Sequence, residues 1–142
     1  GSLDGPEYFL QPEDPNDLDE WAACAIQTKQ DVHDLFIPCF YFGCEADDRG
    51  VAWAFDKRVN ALGARFNAMF SSDIGHWDVQ DASGVLAEAY ELVERGVLAP
   101  DDFRDFTFTN TVRLHGTMNP RFFEGTAIEA EAGSVLNKSQ AA

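Results

Sequence analysis

The chain has 142 residues, 45% of them hydrophobic and 13% aromatic, which is enough for one domain with its own core and too apolar for a disordered segment. Twenty-five acidic against ten basic residues give a formal charge of −15 with no Lys/Arg cluster, which excludes nucleic acid and anionic membranes as partners, since phosphate contact needs cations. No apolar run approaches the roughly 18 residues of a membrane span, and the first residues show neither the basic nor the apolar region of a signal peptide.

Residues 1–16, rich in Pro, Gly and acid, read as a connection, with Tyr8, Phe9 and Leu10 as an apolar anchor. Asn16 or Asp17 suits the cap of a helix to about Gln27, with Leu18, Trp21, Ala22 and Ile26 on one face. A short helix or turn is expected over Gln30 to Leu35. The run "LFIPCFYFG", Leu35 to Gly43, reads as a buried strand, with Pro38 tolerated only near its start. A polar loop follows, then a helix over Val51 to Val59, then a second strand over Ala64 to Ser72. This order matches one βαβ unit, which favours parallel strands.

Ser83 suits the cap of a helix to about Arg95, stopped by Gly96. Pro100, Asp101 and Asp102 suit the first turn of a helix reaching about His115, with room for a break. Asn119-Pro120 opens a short turn, and residues 126–142, small and polar, are expected to form a mobile tail. Two strands that both read as buried need further strands beside them. Strands are therefore missed, supplied by other copies, or carried by a larger protein.

Asp73 ends the second strand, where α/β architectures place functional groups. A carboxylate there caps a turn, ligates a metal or acts as a base. His76 and Asp78, in "GHWD", are either an oriented pair supporting such a site or ordinary loop residues. Trp77 reads as packing or a pocket wall. Glu45 follows the first strand and shares the topological position of Asp73. Asp47 and Asp48 read as a solvated loop, because "EADD" lacks the spacing of an EF-hand. Cys24, Cys39 and Cys44 make no zinc motif, and their odd number and spacing suit a reducing, cytoplasmic compartment. His33 and His115 are isolated.

Three stretches carry a resemblance: "FYFGCEADD" (Phe40 to Asp48), "SSDIGHWDV" (Ser71 to Val79), and the run from Ala89 to Glu129. Through them the chain resembles the C-terminal part of the amidohydrolase-related, metal-dependent hydrolases, the group that includes aminocarboxymuconate-semialdehyde decarboxylase. The resemblance implies an α/β fold: the C-terminal portion of a (β/α)₈ TIM barrel, with strands seven and eight and the helices that follow. Residues 1–125 would form this partial barrel segment, incomplete alone. It implies Asp73 as catalytic residue and metal ligand, with Glu45, His76 and Trp77 at the substrate. The metal, a divalent cation and by expectation zinc, belongs to the complete protein and is not expected to bind this chain tightly. Asn110, Arg113 and Leu114 match a helix segment of the family and are expected to pack.

The family's His-x-His and middle-strand histidines are absent from the chain, and a barrel needs about 250 residues. The implied activity is hydrolysis or nonoxidative decarboxylation of a small-molecule substrate by the complete protein, with this fragment inactive alone. Two other readings stand beside it. One is a non-catalytic module that self-associates through exposed strand edges. The other is a small metal-binding protein using Asp73, His76, Asp78 and Glu45 together.

Overall fold

The structure is a computed structural model that describes residues 24–140. The expected connection over residues 1–16 and most of the helix to Gln27 lie outside the described residues. Its last residues, 24–27, are not helical, and Ala25 has a positive φ of 56°.

Helix α1, Lys29–Phe36, opens on a capping box. The Thr28 hydroxyl accepts from the Asp31 amide, and the Asp31 carboxylate accepts from the Thr28 amide, so two helix-end donors are satisfied reciprocally. This cap carries the helix through Phe36, where a strand had been expected. Strand β1 is therefore shorter and later, Tyr41–Cys44. Helix α2 spans Val51–Phe55 and stops at Asp56, short of Val59. A 3₁₀ turn at Ala61–Gly63 leads into β2, Asn67–Phe70.

The strands pair in parallel, Tyr41 opposite Asn67 through Cys44 opposite Phe70, as a two-stranded sheet that is not closed. The Ser71 amide donates to the Cys44 carbonyl at 2.8 Å. In a parallel ladder, alternate residues bond to the same neighbour, so Asn67, Met69 and Ser71 face β1. Ala68 and Phe70 therefore direct their backbone groups to the outer edge of β2, as Tyr41 and Gly43 do at the outer edge of β1.

Helix α3 spans Val85–Glu94. Gly84 precedes it, and the Ser83 hydroxyl is engaged by the Asp81 carboxylate at 2.6 Å, so Ser83 is not the expected cap. Gly96, at φ +68°, turns the chain out of the helix. One long helical rod then runs through α4 (Pro100–Arg104), a π-helical turn (Asp105–Thr109) and α5 (Asn110–Met118). The expected break is this π turn, which widens the helix without ending it.

The main core joins Val51, Phe55, Ala68, Leu92, Leu98 and Phe106, with Cys44 and Phe70 packed against it. Phe106 is fully buried and meets the Phe70 ring edge-on at 5.8 Å between centroids. Arg65 ties the entrance of β2 to the rod through Asp102 at 2.7 Å and Asp105 at 3.2 Å. The buried Asn110 amide donates to the Ala68 carbonyl at 2.9 Å, so the side chain expected merely to pack also caps the outer edge of β2.

The expected mobile tail is corrected. Helix α6, Glu129–Gln140, lies against α5, with Ala132 and Val135 buried on Val112. A Cβ at Gly116 would sit 2.6 Å from Leu136 Cδ1, so a bare glycine sets the close approach of the two helices. No described helix is long and apolar enough to cross a membrane.

Candidate functional site

The loop after β2 is shaped by two left-handed residues, Asp73 at φ +51° and Gly75 at φ +106°. Glycine accepts this region freely, and aspartate more readily than most residues. The turn closes with the His76 amide donating to the Asp73 carbonyl at 3.1 Å. It returns the imidazole to the carboxylate three residues back: His76 Nδ1 lies 2.6 Å from Asp73 Oδ2. The Asp73 side chain is 23% exposed and that of His76 is 67% exposed.

Asp73 is therefore not a helix cap. It lines a cleft of about 450 Å³ past the C-terminal ends of both strands. Glu45, just past β1, lines the same cleft, as parallel adjacent strands require. Asp47, Asp78, Asp81 and Glu88 complete a wall of six carboxylates. Asp81 is held below the ordinary carboxylate range by hydrogen bonds from the Ser83 hydroxyl and amide. Converging negative charge of this kind attracts cations and repels anions.

Asp73, His76 and Asp78 each offer one ligand atom within 4.8 Å of the others. Two carboxylate oxygens and one ring nitrogen are a donor set that suits zinc or manganese. Glu45 shares the cleft but stands outside this trio. Asp78, read from the sequence as an ordinary loop acid or a supporting partner, joins the trio. His76 and Trp77, both assigned to the substrate, are absent from the cleft wall, and Trp77 is 88% exposed.

Asp81 and Glu88 had no signal in the sequence, since their approach depends on how α3 packs. Among the cysteines, Cys24 and Cys39 are exposed and Cys44 is half-buried, all as free thiols. Comparison with family models, with curated proteins and with solved structures finds nothing that matches this chain.

Proposed function

We propose that this chain is the C-terminal portion of a metal-dependent hydrolase or nonoxidative decarboxylase of the amidohydrolase-related type. In that reading β1 and β2 are the last two strands of a (β/α)₈ barrel, and the cleft is part of its mouth. One observation carries it: the Asp73 carboxylate lies past the end of β2 in a cleft shared with Glu45, in contact with an imidazole.

Asp73 has two carboxylate oxygens. His76 engages Oδ2, which leaves the other free for a cation. A divalent metal there, zinc in this reading, would supply a Lewis acid. His76 and Asp78 extend the donor set, but both are exposed, so water competes for them. Tight binding then rests on ligands from polypeptide outside this chain.

The residues present divide the remaining work. Asp73 orients the imidazole by accepting from Nδ1–H, which leaves Nε2 unengaged by Asp73. Where Asp73 does not hold the metal, its second oxygen takes the proton of the attacking water in a hydrolytic reaction. Glu45, in the same cleft, accepts a hydrogen bond from a substrate hydroxyl or amine. In this reading the substrate is a small molecule, neither nucleic acid nor membrane, and the free thiols support a reducing, cytoplasmic compartment.

The test uses Asp73→Ala in the full-length polypeptide, with metal content measured by elemental analysis beside turnover. Metal occupancy and turnover should fall together, and the isolated chain should take up zinc weakly or not at all by calorimetry. Undiminished metal and turnover in the variant would remove Asp73 as a ligand.

A further inference from the structure

The sequence holds no run of Lys and Arg, but packing gathers cations that lie far apart in it. Arg104, Arg113 and Lys138 line one pocket of about 160 Å³ between the helical rod and α6. The π turn sets up this convergence. Nine steps of regular α-helix place two side chains about 180° apart, on opposite sides of the rod. The extra residue of the π turn, Asp105–Thr109, reduces the angle between Arg104 and Arg113 to about 80°. Such turns recur where a helix carries a function. From α6, Ser134 and Lys138 stand about one turn apart and line the same pocket.

Two further features of the lining point to an anion. Its carboxylate, Asp105, is shared with Arg65 at 3.2 Å, so three cations meet one acid that is already paired. Thr109, in the same lining, is only 6% exposed, and its hydroxyl has no hydrogen-bond partner among the described residues. A buried donor of this kind calls for an acceptor. Ser134 differs, because its hydroxyl already donates to the Ala130 carbonyl at 3.0 Å.

We propose that this pocket binds a single phosphate dianion, as the free ion or as the monoester of a small molecule. This goes beyond the catalytic reading and does not depend on it, since the pocket shares no residue with the acidic cleft. A guanidinium offers two parallel N–H donors to two phosphate oxygens, an ammonium adds a compact charge, and the Thr109 hydroxyl supplies one more donor. The volume is below the roughly 300 Å³ at which small-molecule sites begin, so it admits one phosphoryl group and not a nucleotide. The formal charge of −15 repels extended polyanions, whereas a small anion is governed by the cations within reach.

Calorimetric titration of the chain with inorganic phosphate at pH 8 and low salt tests this, with glycerol 3-phosphate as the second arm. Saturable one-to-one binding is expected. Tighter binding of the ester assigns the site to a monoester, and tighter binding of inorganic phosphate assigns it to the free ion. Arg113 also lines a neighbouring hollow beside Tyr41, so the variants are made at the two exposed cations. Arg104→Gln and Lys138→Gln should each weaken binding about tenfold, the loss of one charge-assisted contact, with an unchanged far-ultraviolet spectrum. Arg121→Gln removes an exposed cation from outside the pocket and should leave the affinity as it was. Absence of saturable binding by both probes, an affinity indifferent to both pocket variants, or an equal loss in Arg121→Gln would overturn the site.

Discussion

The two strands occupy one sheet yet live in different surroundings. In β2, Ala68 is fully buried, Phe70 packs on Phe106, and the outer edge is capped by Asn110. In β1 no residue is fully buried, and neither is any in α1 beside it. The core therefore gathers around β2, between α2 and the helices after Val85. Among the described residues, the β1 side carries partly exposed aromatic rings. Among the described residues, the β2 side holds the fold together and the β1 side faces outward.

The largest expected contrast is in stability. Phe106→Ala removes a fully buried ring from the centre of the core and should cost about 3–5 kcal/mol. Phe40→Ala removes a ring that is 51% exposed and stacked only on the open side, and should cost under about 1 kcal/mol. Urea unfolding of both variants measures the gap. Equal losses would mean that the β1 side is as firmly packed as the β2 side, and the contrast would fail.

A finer version concerns the edge of β2. Asn110→Ala leaves the Ala68 carbonyl without its donor in a buried setting, and should cost about 1–3 kcal/mol by the same measurement. A neutral result would mean that the two edges are alike after all, with solvent serving β2 as well.

The strand–helix–strand order was legible because β1 and β2 sit in apolar runs separated by a polar loop, and that pattern survives folding. The start of β1 was not legible. An apolar run of this length does not say where a helix ends and a strand begins, and the capping box at Thr28 decided it in favour of helix through Phe36. Helix α6 was missed because Ala130, Ala132, Gly133 and Ser134 give no apolar stripe. Its burial depends on Gly116 of another helix.

At the site, Asp73 could be placed from its position at the end of a strand. Its contact with His76 could not, since two left-handed residues make it and spacing alone does not announce them. Trp77, on the same turn, is exposed and off the cleft wall of this chain.

The smallest effect lies within β1 and its approach, where two thiols report on opposite sides of the divide. Cys39 precedes the strand and is exposed; Cys44 ends it, half-buried and packed against the main core. Burial pushes the Cys44 thiol above its ordinary value, with the nearby Asp48 carboxylate adding to it. The thiolate is the reactive form, so a raised value means less of it at any pH below the titration. Timed iodoacetamide pulses followed by peptide mass spectrometry should show Cys39 modified several-fold faster than Cys44 at pH 8. As pH rises, the Cys44 rate should climb later than that of an ordinary thiol. Cys44 reacting as fast as Cys39 at pH 8 would mean that the end of β1 is as open as its beginning, and the boundary between the packed and uncovered halves would have to move into the core.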